Sequence, residues 1–171
     1  AGAGTQTAGL AFGGILAPPT PNISNATEEY NGSAWTAGGN LGTARYQFAG
    51  AGTQTAGLAF GGRIYGSNTG ATEEYDGSSW TTGGTMGTAR RFLAGAGTQT
   101  EGLAFGGAGG ASALTEKYNG TSWAATTNMN SARGYLAGAG TQTAALAIGG
   151  APAATEEFSG GGPATLTVGT S

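Results

Sequence analysis

Small, apolar and polar residues follow one another in a fixed order along this chain, and the order recurs. The clearest apolar pattern is Gly57 to Phe60, in which Leu58 and Phe60 lie two residues apart and therefore point to one face of a β-strand. The Gly-Gly pairs that follow this pattern begin at positions 13, 61, 106 and 149, so the steps are 48, 45 and 43 residues. Self-similarity at this pitch indicates a propeller, a solenoid or an array.

Each unit predicts four strands in an antiparallel meander, and no stretch has a helical period. In the second unit the strands begin at Ala49, Gly57, Thr72 and Trp80. Thr-Gln-Thr joins the first strand to the second, and we expect Gly-Gly to end the second strand in every unit. The third strand runs into Asn-Gly or Asp-Gly, a strong hairpin signal because a type I′ turn needs positive φ at both central residues. These dipeptides are Asn31-Gly32, Asp76-Gly77 and Asn119-Gly120, and the fourth strands carry Trp35, Trp80 and Trp123.

This order of elements resembles the kelch repeat, whose copies form the blades of β-propellers. In the third unit, Leu103 to Gly107 precedes Thr115 to Tyr118, Trp123 and then Met129 to Arg133. The resemblance covers the whole chain. It implies an all-β fold, a β-propeller of about four kelch-like four-stranded antiparallel blades, in one domain over residues 1–171. The units are then approximately 1–44, 45–89, 90–132 and 133–171.

Two features depart from the usual kelch propeller: a shorter interval from Tyr to Trp, and fewer units. The alternative fold is an incomplete propeller, completed by another chain or by missing repeats. The tail from Ala164 to Val168 alternates and predicts a last strand, which either completes the fourth blade or pairs with the first unit. The Gly-, Ala- and Thr-rich composition, in nearly identical copies, also resembles repeat proteins of marine bacteriophage virions and tail fibres.

Composition narrows the range of functions. The chain has 37 glycines, no His, no Cys and 9% charged residues, with a net charge of -3. Without His or Cys the common metal ligands and catalytic bases are missing, so we expect a protein that is not an enzyme and has no cofactor. The low charge argues against a nucleic-acid partner, and the lack of a long apolar run argues against membrane insertion.

The repeated aromatic and acidic residues have structural interpretations. Because the Trp and Tyr residues hold the same position in each unit, we expect them to pack between blades rather than to stack on sugars. Neighbouring Glu residues such as Glu73 and Glu74 point to opposite faces of a strand, so they cannot act together on one centre. We therefore expect pairing with the repeat Arg, and cation binding or catalysis is the alternative.

The variable segments after Gly-Gly are the candidates for recognition. They span Ile15 to Asn25, Arg63 to Gly70 and Ala108 to Ala113, and variable loops on a rigid scaffold commonly carry binding. In a propeller these loops lie on the same face as the links between blades, and the Thr-Gln-Thr and Asn-Gly turns lie on the other. Tolerated length variation is the alternative interpretation. The candidate partner-binding residues are Pro18, Pro19, Asn22, Asn25, Arg63, Tyr65 and Asn68.

These features favour a structural and adhesion module, a virion or tail-fibre component that presents loops to a host surface or a partner protein. The expected partners are a protein or a surface glycan and other virion proteins, and the expected location is the virion or the extracellular space. A homo-oligomer is compatible with this hypothesis. The alternative is an extracellular propeller that binds or processes glycans.

Overall fold

The strands of this protein form four sheets of four strands each. The structure is a computed structural model that describes residues 1–16, 22–108, 112–151, 153–160 and 163–166. No helix occurs among these described residues. Their strands, in chain order, are β1 (Gly2–Gly4), β2 (Gly9–Ile15), β3 (Ile23–Tyr30), β4 (Trp35–Ala37), β5 (Ala49–Thr53), β6 (Ala56–Phe60), β7 (Arg63–Ile64), β8 (Ser67–Asn68), β9 (Thr72–Tyr75), β10 (Trp80–Thr82), β11 (Ala94–Gly97), β12 (Gly102–Phe105), β13 (Thr115–Tyr118), β14 (Trp123–Ala125), β15 (Leu136–Gly140), β16 (Ala145–Gly149), β17 (Thr155–Phe158) and β18 (Pro163–Leu166).

The sheets are arranged as a four-blade β-propeller, which confirms the predicted fold class. Blade 1 is β1 to β4, blade 3 is β11 to β14 and blade 4 is β15 to β18, all in chain order. Blade 2 consists of β5, β6, β9 and β10, and the small hairpin β7–β8 is inserted between its second and third strands. Every pairing within a blade is antiparallel, as a meander requires.

The first strand of each blade lies against the first strand of the next. β1 contacts β5, β5 contacts β11, and β11 contacts β15. A Cβ at Gly50 would lie 2.6 Å from Cζ of Phe12 and 2.7 Å from the carbonyl oxygen of Gly2, both in the preceding blade. Gly95 repeats this approach one blade further on. The alternating Ala and Gly of the inner strands are therefore needed because backbone and ring atoms of the neighbouring blade fill the space of a side chain.

The hairpin between the third and fourth strands differs from the prediction. Tyr75 pairs with Trp80, so four residues form the loop, and Asp76 donates its N–H to the carbonyl of Ser79 at 3.2 Å. Gly77 has φ of 92°, but Asp76 is not among the residues with positive φ. The predicted hairpin is confirmed, but the prediction of a type I′ turn is wrong. The N–H groups of Ser78 and Ser79 donate to the Asp76 carboxylate, which stabilises a longer loop.

The first variable segment is shorter than predicted. β2 continues through Gly13 and Gly14 to Ile15, with a bulge between Phe12 and Gly14, so Gly-Gly does not end the second strand of blade 1. β3 begins at Ile23, which puts Asn25 inside a strand. In blade 2 the second strand does end before Gly-Gly, at Phe60.

The last described strand completes blade 4. β18 pairs with β17, with Phe158 opposite Pro163 and Thr155 opposite Leu166. Of the two alternatives for the tail, this pairing is the one observed. Thr167 and Val168, which the prediction included, lie outside the described residues.

Candidate functional site

The connections of the blades lie on two faces. One face carries the Thr-Gln-Thr turns and the Asn-Gly or Asp-Gly turns, which lie side by side: a Cβ at Gly77 would be 3.4 Å from Cβ of Thr55. We call it the turn face. The opposite face carries the loops after the second strands and the links between blades. Gly62 donates its N–H to the carbonyl of Arg90 at 2.7 Å, and Ala108 donates to Arg91 at 2.7 Å. The loops and the links therefore adjoin, as the propeller topology predicts.

Aromatic and cationic side chains gather on the face with the loops and links. Arg63 pairs with Tyr46 as an isolated β-bridge, with N–H to carbonyl distances of 2.8 and 3.2 Å. This pairing fixes the hairpin β7–β8 on the link from blade 1 to blade 2. We call this surface the linker face, and it consists of Tyr46, Gln47, Arg63, Tyr65, Asn68, Arg91, Phe92 and Tyr135.

A row of three residues crosses the linker face beside the inner strands. Gln47, Phe92 and Tyr135 hold the same position in successive links, and their φ values are 58°, 54° and 61°. Phe92 donates its N–H to the carbonyl of Gln47 at 2.8 Å, and Tyr135 donates to Phe92 at 2.9 Å. The rings of Phe92 and Tyr135 stack with centroids 3.8 Å apart. Tyr135 is nonetheless 67% exposed, so this row ends in an accessible aromatic plane.

Tyr65 is the most exposed large hydrophobic side chain of the described residues, at 87%. It occupies the turn of the hairpin β7–β8, where Tyr65 and Gly66 have φ of 44° and 95°. Both central residues of this two-residue loop have positive φ, as in a type I′ turn. Positive φ is unusual for an aromatic residue, and such strain is common at binding sites. All four non-glycine residues with positive φ in the described part of the chain lie on the linker face.

The predicted site residues divide into several groups. Arg63 and Asn68 lie beside Tyr65, but both also hold the scaffold. Arg63 Nε donates to the carbonyl of Gly66 at 2.8 Å, and Asn68 Oδ1 accepts from Arg91 at 2.9 Å. Asn22 is exposed immediately before β3, whereas Asn25 lies within β3 and donates from Nδ2 to the carbonyl of Leu41 at 3.0 Å. Pro18 and Pro19 lie outside the described residues.

The charge of the linker face contrasts with that of the rest of the protein. The repeat arginines form buried ion pairs with the next blade, namely Arg45 with Glu73, Arg90 with Glu116 and Arg133 with Glu156. The expected Glu–Arg pairing is confirmed in blades 2, 3 and 4, whereas Glu28 of blade 1 is exposed and makes no ion pair among the described residues. Arg63 and Arg91 make no ion pair among the described residues. The linker face therefore carries two uncompensated cations in a chain whose net charge is -3.

The remaining repeated aromatic residues join the blades. Trp80 Nε1 donates to Oγ1 of Thr27 at 2.9 Å, and its ring lies 4.9 Å from that of Phe12. Tyr75 donates its hydroxyl to Glu29 of the preceding blade at 2.5 Å. Burial, reinforced by this hydrogen bond, raises the pKa of Tyr75 to about 12. The prediction that these residues pack between blades is confirmed here.

Trp35 is the exception, because it is 51% exposed and contacts only Tyr30 of its own blade among the aromatic rings of the described residues. The prediction of packing between blades is wrong for this residue.

Sequence inspection missed one repeated contact. Gln54 donates from Nε2 to the carbonyls of Tyr30 and Gly9, at 2.7 and 3.2 Å, and Gln99 does the same one blade later. The signal for this contact is the Gln of Thr-Gln-Thr, which is the same residue in all four units. These amide groups join neighbouring blades by hydrogen bonds along the turn face, so the Gln side chains of that face have a structural role.

No group of three or more acidic residues in the described ranges is placed to hold a metal ion. Within these same ranges there is no helix of the length and apolarity needed to cross a membrane. No protein-family model matches the chain, and a search of curated proteins finds no significant match.

Proposed function

We propose that this protein is a non-enzymatic structural and adhesion module that binds a cell-surface glycan through its linker face. The observation that carries the proposal is the exposure of Tyr65 and Tyr135, at 87% and 67%, beside Arg63 and Arg91. At protein interfaces Tyr and Arg are among the side chains that contribute most to the binding energy, because they offer large rigid surfaces and directed hydrogen bonds. An exposed aromatic plane can stack on a sugar ring, and a guanidinium group can pair with the carboxylate of an acidic sugar.

The setting of this module is proposed to be a virion or tail fibre, or another extracellular surface. The support is the kelch-like order of the repeats and their Gly-, Ala- and Thr-rich copies, which resemble those of bacteriophage virion proteins. Repeats joined by buried contacts give a rigid scaffold, which suits a component held among other virion proteins. A protein partner at the linker face is the second candidate, because Tyr and Arg serve protein interfaces equally well.

The carboxylates give less support to glycan processing than to glycan binding. Glu73, Glu116 and Glu156 are buried and paired with arginines, and Glu29 and Glu74 accept hydrogen bonds from tyrosines. A glycosidase needs two carboxyl groups facing one bond. These five carboxylates hold one blade to the next.

Binding to an array of acidic and neutral surface polysaccharides tests the proposal. We expect the wild-type chain to retain acidic members of the array, and Tyr65→Ala and Arg91→Gln each to weaken that binding about tenfold or more, the usual effect of losing an interface anchor. Thr55→Ala on the turn face is the matched control and should bind as wild type. Retention of no polysaccharide, or equal losses for Thr55→Ala, would contradict the proposal.

A further inference from the structure

A joint between two blades is built from two complementary faces. The tail face of the earlier blade supplies the Leu and Phe of its second strand, together with a Thr and a Glu of its third strand. The head face of the later blade supplies the Trp, the Tyr and the turn Gln. At the joint from blade 2 to blade 3, Trp123 lies 4.9 Å from Phe60 and donates to Thr72, and Tyr118 donates to Glu74. The same contacts occur between blades 1 and 2.

Blade 4 exposes its tail face. Leu146 and Ile148 are 36% and 42% exposed, whereas Leu58 and Phe60 at the same positions of blade 2 are fully buried. Ala137 and Ala139 on β15 are also exposed. Four apolar side chains that the other blades cover with a neighbour thus face solvent together, and an apolar patch of this kind marks an interaction site.

Blade 1 exposes its head face. Trp35 is 51% exposed, while its counterparts Trp80 and Trp123 are half-buried against the preceding blade. Gln6 is exposed as well, whereas Gln54 at the same position donates to two carbonyls of blade 1. The inner strands β1 and β15 are not packed side by side among the described residues, unlike the other successive pairs. The two exposed faces of one chain therefore do not cover each other.

We propose that the tail face of blade 4 binds the head face of blade 1 in a second copy of this chain, head to tail. The tail face of blade 4 carries the acceptor residues of a joint, and the head face of blade 1 carries the matching Trp, Tyr and Gln. Trp35 covers Ile148 and donates to Thr155, as Trp80 covers Phe12 and donates to Thr27.

The remaining contacts follow the same register. The Tyr30 hydroxyl donates to Glu157, at the position equivalent to Glu74. The Gln6 amide donates to the carbonyls of Ala145 and Phe158, which pair as Gly57 and Tyr75, the acceptors of Gln99, do. This contact would repeat the arrangement of the joints already present between blades 1 and 2 and between blades 2 and 3. It brings the hydroxyl of Tyr30 to the carboxylate of Glu157, so no two like charges meet. An interface of two different faces forms either a closed ring or an open chain of copies.

Sedimentation velocity of the full chain over a range of concentrations tests this interface. We expect the mass to rise from one copy to two or more, and Trp35→Ala and Ile148→Asp each to weaken association about tenfold or more. The decisive sample is an equal mixture of the two variants. Trp35→Ala keeps an intact tail face and Ile148→Asp keeps an intact head face, so the mixture should form dimers but no larger species. Thr81→Ala, exposed on the outer strand β10, is the control and should associate as wild type.

Three outcomes would overturn the proposal. One is a wild-type chain that stays monomeric at every concentration. Another is a mixture that fails to form dimers although circular dichroism shows both variants folded. The third is a monomer in which Trp35 fluorescence is blue-shifted and Ile148→Asp reverses the shift, because the chain would then close on itself without a second copy.

Discussion

Trp123 Nε1 donates a 2.9 Å hydrogen bond to Oγ1 of Thr72, a residue 51 positions earlier in the chain and one blade away. The Trp123 ring also lies 4.9 Å from the ring of Phe60 in the same neighbouring blade. One side chain thus combines apolar contact with a directed hydrogen bond across the joint. Because the repeat reproduces it between blades 1 and 2, joints rather than isolated blades are the units of stability in this protein.

The tryptophans should differ in their contribution to stability although their sequence contexts match. Trp123→Ala removes ring contacts and leaves Thr72 without its donor, so we expect the free energy of unfolding to fall by about 3 kcal/mol. Trp35→Ala removes a half-exposed ring and should cost less than about 1 kcal/mol. Urea unfolding followed by circular dichroism, at concentrations where the chain is monomeric, measures both. Similar costs for the two variants would show that the joint does not depend on this residue.

The ion pairs provide a second matched comparison. Glu116 accepts from Arg90 at 2.6 Å and from the N–H of Gly87 at 2.7 Å, while Glu28 at the same position of blade 1 is exposed. Glu116→Gln leaves a buried guanidinium without its counter-ion, and we expect a loss of about 3 kcal/mol. Glu28→Gln should change the free energy of unfolding by less than about 0.5 kcal/mol. If both variants unfold at the wild-type urea concentration, the ion pair between Arg90 and Glu116 does not stabilise the protein.

The inter-blade tyrosines predict an alkaline limit to stability. Burial and a carboxylate partner raise the pKa of both Tyr75 and Tyr118 from 10 to about 12. The stabilising effect of the protonated hydroxyl is therefore complete below pH 10 and is lost as the pH rises toward 12. In the double variant Tyr75→Phe/Tyr118→Phe the urea midpoint should fall less steeply over this range than in wild type. Parallel midpoint curves would rule out the tyrosines as the cause.

Asp76 predicts an acid dependence confined to one turn. The N–H of Ser79 and then the hydroxyl and N–H of Ser78 donate to its carboxylate, which lowers the pKa of Asp76 from 3.8 to about 2. Its contribution is thus present above pH 3.8 and is lost as the pH falls toward 2.

Asp76→Asn should keep the turn, since Asn31 and Asn119 make the same backbone contacts in their own blades. It should also remove this part of the acid dependence. Thermal unfolding at pH 5 and pH 2 compares the two chains, and an unchanged difference between the two pH values would exclude Asp76.

The sequence predicts the blades well because each strand has a local cause. Leu58 and Phe60 alternate with small residues, Gly50 leaves room for Phe12, and the interval from Tyr75 to Trp80 sets the outer hairpin. Local periodicity and turn residues carry this information, so it can be extracted from the chain without knowing any contact between blades.

The parts that the sequence did not predict depend on contacts between distant residues. Trp35 is exposed because no other blade of the described residues packs against it, which an identical local context cannot reveal. The positive φ of Tyr65 and Phe92 follows from the hairpin and the links that surround them, and aromatic residues do not by themselves favour that conformation. Asn25 was expected in a loop because the segment after Gly-Gly varies in length between the units, but the β2–β3 pairing extends past it.

Binding of polysaccharide through the linker face is tested most directly by blocking one face of the propeller at a time. The chain has no Cys, so Ser67→Cys on the linker face and Thr55→Cys on the turn face each give a single site for a polyethylene-glycol maleimide. Ser67 is exposed on β8, next to the turn that carries Tyr65, and its replacement leaves Tyr65 and the arginines in place. Both variants are compared before and after modification on the acidic polysaccharides that wild type retains. We predict that modification at Ser67→Cys abolishes binding and that modification at Thr55→Cys leaves it intact. The reverse result would assign binding to the turn face and contradict the account.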